Sequence, residues 1–197
     1  MDTAGHVITM LIVGYLLGSI PFAKLLTMRA GVDLFETGTG NPGAANVFRK
    51  VDRRIGAAVF FADGLKGAAP VLLAWAMGAP QDLWFIGGVA AVVGHWYPVF
   101  NKFKGGAGLA SGMGAVVALM PIAGLIGLVL GMLVIAKVKS SGHGALTGLI
   151  VILISAYFLN GDWPLRYEWP AMAAAVGMAI ILFARAAARG WKPGRKE

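Results

Sequence analysis

Two stretches of this chain combine glycine with positive charge and small polar groups: Gly38-Thr39-Gly40-Asn41-Pro42-Gly43-Ala44-Ala45-Asn46-Val47-Phe48-Arg49 and Phe103-Lys104-Gly105-Gly106-Ala107-Gly108. Glycine lets backbone N–H groups turn inward onto an oxyanion, while Arg or Lys supplies the compensating charge. In the first stretch Thr39, Asn41 and Asn46 lie close to Arg49, in a chain otherwise poor in polar residues. Phosphate is the ligand such a loop suits. Neither stretch is a nucleotide loop, because the Gly-Lys-Ser/Thr ending is missing. A plainer reading stands beside this one: membrane helices use glycine for close packing, and Arg or Lys is expected at cytoplasmic helix ends without any ligand.

Asp63 and Lys66 sit inside an apolar run, in Phe61-Ala62-Asp63-Gly64-Leu65-Lys66-Gly67. Charges at membrane depth are costly and usually face a protein interior or a polar cavity. Their spacing allows a same-helix ion pair, which is favoured here over direct catalysis. His95, in Gly94-His95-Trp96-Tyr97-Pro98, is either a polar group lining a site or a hydrogen-bonded interface residue. Lys24 reads as a side chain snorkelling to the interface. His6 and His143 have no partners at metal spacing, so no metal site is expected, and nothing calls for a cofactor.

The elements that must position these groups are membrane helices. Of 197 residues, 58% are hydrophobic and 13% charged, and the mean hydropathy is +0.74, which leaves too little polar surface for a soluble globule. Apolar runs fall at about 7–27, 55–78, 83–100, 107–120, 122–136, 145–160 and 169–187. The stretch 107–136 reads as one long kinked helix or as two helices broken at Pro121. Charge favours two. With a break there, Arg29, Arg49, Lys50, Arg53, Arg54, Lys102, Lys104, Lys137, Lys139 and the basic tail all share one side. The expected fold is therefore an all-α integral membrane protein of seven transmembrane helices in a single domain, N-terminus out and C-terminus in, with its glycine-rich loops in the cytoplasm. The start of the chain lacks the basic region of a secretory signal, so the first run is expected to be retained. The net charge of +8 comes without aromatics interleaved along a basic groove, which points to anionic lipid and small phosphorylated molecules, not nucleic acid. Zero cysteines excludes disulfides and thiolate metal sites.

Taken together, Gly18-Ser19-Ile20-Pro21-Phe22, the 38–49 loop, Asp63-Gly64-Leu65-Lys66-Gly67, and Gly94-His95-Trp96-Tyr97-Pro98-Val99-Phe100 leading to Phe103-Lys104-Gly105-Gly106 resemble the PlsY family of bacterial acyl-phosphate:glycerol-3-phosphate acyltransferases. A joint match of several segments in order is far more specific than any one of them. The resemblance implies a seven-span, N-out fold in the bacterial inner membrane with a cytoplasmic active site. It implies a reaction in which the sn-1 hydroxyl of glycerol-3-phosphate attacks the carbonyl of a fatty acyl phosphate, giving 1-acyl-glycerol-3-phosphate and phosphate. An acyl phosphate is already activated, so no covalent enzyme intermediate is required. A substrate phosphate is thought to help remove the hydroxyl proton in this family. Membrane lipids are the surrounding partners, and the oligomeric state is left open, a monomer being compatible with the chemistry.

Carried over by position, Thr39 stands where the family usually has serine, and Thr39, Asn41 and Arg49 are the expected catalytic residues. Asn46 would complete the first anion pocket. Lys104, Gly105, Gly106 and Gly108 would bind substrate phosphate, with Asp63, Lys66 and His95 in support. The sequence departs from the family at Ala107, where a lysine is usual. It departs again in the tail Phe183-Ala184-Arg185-Ala186-Ala187-Ala188-Arg189-Gly190-Trp191-Lys192-Pro193, which has neither the histidine nor the asparagine of the third family motif. Lys102 and Lys104 are candidates to replace the missing charge, if the turn aims them at the same point, and Arg49 with Arg185 or Arg189 are further ones. Two readings follow: an acyltransferase, favoured because the first loop is nearly intact, and a respecialised protein that binds or transports a phosphorylated metabolite or lipid on the same scaffold.

Overall fold

The structure, a computed structural model, describes residues 1–159, 173, 176–178, 180 and 181, and every regular element among them is helical. Asp2 starts the first helix: its carboxylate accepts the Gly5 N–H at 2.9 Å, and α1 runs Thr3–Gly18. It stops at Ser19-Ile20-Pro21, since proline has no N–H with which to continue the ladder, and α2 resumes over Phe22–Thr27. The expected span 7–27 is thus two helices meeting at a break. A loop through Asn41 leads to α3, Ala44–Lys50. Asp52 then caps α4, Arg53–Ala76, by accepting the N–H groups of Arg54 and Ile55 at 2.8 and 2.9 Å. There follow α5 (Phe85–Trp96), α6 (Leu109–Leu119), α7 (Pro121–Val138) and α8 (Ser141–Leu159).

The break expected at Pro121 is present, with proline at the first position of α7, where its missing N–H costs nothing. Among the described residues, five stretches are long and apolar enough to cross a membrane: Thr3–Ala30, which contains the first break, Arg53–Ala76, Gln81–Asn101, Pro121–Val138 and Ser141–Leu159. By contrast α6 has only 11 residues. At 1.5 Å per residue it spans about 16 Å against roughly 30 Å of hydrocarbon, so the segment expected at 107–120 is short for a crossing. The last expected span, 169–187, lies outside the described residues except for the few positions named above.

Helices in lipid gain little by hiding apolar surface from one another, so they associate through close packing at small residues. Here α1 lies along α5, α4 against α6, and α7 against α8. A Cβ on Gly18 would overlap the Ala91 carbonyl of α5, and one on Gly67 would overlap the Ser111 carbonyl of α6. Those two contacts bring α1, α4, α5 and α6 close enough for their few polar side chains to meet. At one end of the bundle His6 Nε2 lies 3.2 Å from the carbonyl of Met77, just past α4. At the other end the Tyr15 hydroxyl donates to the Tyr97 carbonyl at 2.8 Å, tying the end of α1 to the end of α5. The polar residues singled out from the sequence gather at this second end. Beneath the loop that leads to α3, the buried side chains of Ala23, Leu34, Val47 and Val59 form a small apolar core of their own.

Candidate active site in a lysine-lined cavity

Where the break between α1 and α2 meets the middle of α4 and the end of α5, a cavity of about 630 Å³ opens. Asp63 and Lys66 line it from α4, His95 from α5 and Lys24 from α2. The turn after α5 contributes Asn101, Lys102, Lys104, Gly105 and Gly106, and the loop before α3 contributes Asp33 and Pro42. Four lysines and two aspartates therefore face one space, a surplus of positive charge that suits a phosphate.

Its inner wall is a buried polar cluster. Asp63, Lys66 and His95 are 2%, 5% and 7% exposed. Lys66 Nζ lies 2.8 Å from Asp63 Oδ1, the pair expected from the helical spacing, and donates to the Ile20 carbonyl at 2.8 Å. Its ammonium also stands 5.7 Å from the centre of the Phe22 ring. A buried charge without a partner would be very costly, so this pairing is what permits ionised groups here. From α5, His95 Nδ1 lies 3.7 Å from Asp63 Oδ1, an electrostatic contact too long for a hydrogen bond, and 3.3 Å from Ser111 Oγ of α6. Three helices thus share one cluster.

The rim carries exposed cations. Lys24 Nζ donates to Asn101 Oδ1 at 3.1 Å, and Asn101 Nδ2 donates to the Lys104 carbonyl at 2.7 Å. Ala107 is half-buried and outside the cavity lining, and its carbonyl accepts the Trp96 indole N–H at 2.9 Å. Lys102 and Lys104, by contrast, both line the cavity.

Glycine has specific work beside them. A Cβ on Gly105 would overlap the His95 and Trp96 carbonyls, and one on Gly106 would collide with His95 Nε2. These two residues let the segment lie flat on the end of α5 while lining the cavity. Gly108, at φ 88°, adopts the left-handed conformation that starts α6, and it stands outside the lining.

The first glycine-rich loop is arranged differently. Asn46, only 3% exposed, accepts the Thr39 N–H at 3.1 Å through Oδ1 and donates to the Thr37 carbonyl at 2.8 Å through Nδ2. The side chain expected to grip an anion is spent on closing its own loop. Thr39 and Arg49 are exposed, Asn41 is half-buried, and none of the three lines the cavity. Pro42 is the loop's contact with it: the Pro42 carbonyl would stand 3.4 Å from a Cβ on Gly106.

Of the expected residues, the structure brings together Asp63, Lys66, His95, Lys104, Gly105 and Gly106. Sequence reasoning assigned no site role to Lys24, Asn101 or Ser111. A usable signal existed for Lys24, which follows the Pro21 break, and for Ser111, a hydroxyl in an otherwise apolar helix. Asn101 carried none, because its role depends on a partner far away in the chain.

A model of the glycerol-3-phosphate acyltransferase family matches residues 8–189. The chain is 40% identical over 191 residues to a glycerol-3-phosphate acyltransferase of Rubrobacter xylanophilus, an alignment covering 93% of this chain and 92% of that one. With a glycerol-3-phosphate acyltransferase of Geobacter metallireducens it shares 50% identity over 113 residues, covering 57% and 58% of the two chains. The crystal structure of PlsY, an integral membrane glycerol 3-phosphate acyltransferase, in its glycerol 3-phosphate form superposes with a TM-score of 0.81 at 31% identity, covering 92% of this chain and 88% of that one. The lysophosphatidic acid form of that protein gives 0.79 at 31% identity, with 91% and 87% covered.

Proposed function

Since the chain belongs to the glycerol-3-phosphate acyltransferase family, we propose that it moves a fatty acyl group from acyl phosphate to the sn-1 hydroxyl of glycerol-3-phosphate. The hydroxyl oxygen bonds to the acyl carbonyl carbon, the bond from that carbon to the phosphate oxygen breaks, and phosphate leaves with the electron pair. A substrate phosphate takes the hydroxyl proton. The observation that carries this reading is the convergence of Lys24, Lys66, Lys102 and Lys104 on one cavity in a membrane helix bundle. Cations fixed around two phosphates lower the barrier by stabilising developing charge and by holding the hydroxyl near the carbonyl.

In this reading Lys104, Gly105 and Gly106 hold the phosphate of glycerol-3-phosphate, and Lys66 faces it from within. Asp63 keeps Lys66 in place, and His95 completes the wall. Thr39, Asn41 and Arg49 take the acyl phosphate from the adjoining loop, which Asn46 shapes, while Gly108 permits the turn into α6. The chain crosses a bacterial inner membrane seven times, with α6 as a short crossing and the cavity in the cytoplasm. Support for that orientation comes from Arg49, Lys50, Arg53, Arg54, Lys102 and Lys104, which cluster in the loops and helix ends beside the cavity.

The test is turnover. Protein purified into lipid, given long-chain acyl phosphate and glycerol-3-phosphate, is expected to release phosphate and lysophosphatidic acid in equal amounts. Absence of both products would overturn the proposal.

A further inference from the structure

Between α5 and α6 the chain makes a turn that its own residue types disfavour. Lys102 and Phe103 both have positive φ, 52° and 59°, although neither is glycine or asparagine. Two adjacent side-chain-bearing residues in the left-handed region persist only where the surroundings over-determine them. Part of that determination is backbone: the Pro98 carbonyl accepts the N–H groups of Asn101 and Phe103 at 3.1 and 2.9 Å, and the Asn101 carbonyl accepts that of Lys104 at 3.0 Å. One side chain adds to it. Asn101 Nδ2 donates to the Lys104 carbonyl at 2.7 Å, closing the turn across its strained residues. Its other end, Oδ1, accepts Lys24 Nζ at 3.1 Å from α2, a helix that exists as a separate element because of the break at Pro21.

Lys24, Asn101, Lys102 and Lys104 all line the cavity. An amide is suited to this place because it offers an acceptor to a cation and a donor to a carbonyl at once. A carboxylate would serve Lys24 and repel the Lys104 carbonyl; an alkyl chain would serve neither.

We propose that Asn101 is a positioning residue for the anion site: it clamps the strained turn to α2 and thereby fixes Lys102 and Lys104 at the cavity. This rests on the reading of the cavity as the phosphate site. Lys24 uses one of its three donors on Asn101 and keeps the others for the anion, so the clamp sits at the mouth without neutralising it.

Three variants test the idea: Asn101→Ala, Asn101→Asp and the pair Lys102→Met/Lys104→Met, each in wild type and the first two also in the pair. Asn101→Ala is expected to raise the KM for glycerol-3-phosphate about tenfold with kcat within about twofold, the pattern of lost uniform binding. Asn101→Asp is expected to do the same, because it keeps only the Lys24 half of the clamp. Added to the Lys102→Met/Lys104→Met pair, Asn101→Ala is expected to change KM by less than about twofold, since the residues it positions are gone. A merely structural role would make the effects multiply. An unchanged KM in Asn101→Ala, an Asn101→Asp variant that behaves as wild type, or multiplying effects would each overturn the proposal. If wild type turns over no substrate, the functional reading fails on its own, and the same cycle is read from the Kd for inorganic phosphate by titration, with the same expected and overturning results.

Discussion

The loop from Gly38 to Gly43 is closed by a side chain of the helix that follows it, whereas the segment from Phe103 to Gly108 is laid against the end of α5. In the loop, the buried amide of Asn46 bonds both to the Thr39 N–H and to the Thr37 carbonyl. In the segment, Gly105 and Gly106 press against the end of α5 and face the same cavity as Asp63, Lys66 and His95. By residue types alone the 38–49 loop is the more complete phosphate pocket, and the 103–108 segment is deficient at Ala107. Side-chain inventory ranks the two in the opposite order from position. What counts is which polar groups remain available once the backbone has taken its share: Asn46 is committed to its own loop, while Asn41 Oδ1 is buried without a hydrogen-bond partner among the described residues.

Breaking the inner wall of the cavity that the 103–108 segment faces is expected to do the most damage. Lys66→Met takes from the buried Asp63 its nearest cation and leaves it the longer contact with His95; removing one member of a buried pair costs about 3–5 kcal/mol. Thermal unfolding in detergent should show a large fall in midpoint, and Asp63→Asn added to it should recover much of the loss. A double variant no more stable than the single one would mean that burial of charge is not the cause.

Gly106→Ala comes next, since its Cβ collides with His95 Nε2 while the helices themselves are untouched. Turnover is expected to drop by about 100-fold, the scale of a displacement of about 1 Å in a catalytic site, with little change in unfolding temperature. In the 38–49 loop Asn46→Ala is expected to cost about 1–3 kcal/mol, since it removes the hydrogen bonds to the Thr39 N–H and the Thr37 carbonyl, both part-buried. Limited proteolysis of the 36–46 loop should report it as faster cleavage. Equal loss of turnover from Asn46→Ala and Gly106→Ala, at equal stability, would erase the distinction between the two regions. Salt should have the smallest effect. Because Lys24, Lys102 and Lys104 are exposed, raising ionic strength from about 0.05 to about 0.5 M should increase the KM for glycerol-3-phosphate by about two- to fivefold through screening, leaving kcat nearly unchanged.

Much of this architecture is legible in the sequence. Pro121 announces the start of α7, and the spacing of Asp63 and Lys66 announces their pairing, because both depend on local rules. The same proline rule applied to Pro21 divides the first run, whose hydropathy, continuous across the break, otherwise reads as one span. The Asp63, His95 and Ser111 cluster is not legible as a cluster. It exists because glycines bring α4 and α6 into backbone contact, and sequence does not say which helices touch. Nor does it say that Asn46 turns inward or that Lys24 reaches Asn101, since both depend on a backbone path set elsewhere.

We propose that glycerol-3-phosphate binds in the lysine-lined cavity beside α5. It is tested most directly by calorimetric titration of glycerol-3-phosphate into wild type and into the Lys102→Met/Lys104→Met variant in the same lipid. Binding in the variant is expected to be at least tenfold weaker, about 1.4 kcal/mol or more. Equal affinity in the two proteins would contradict the claim.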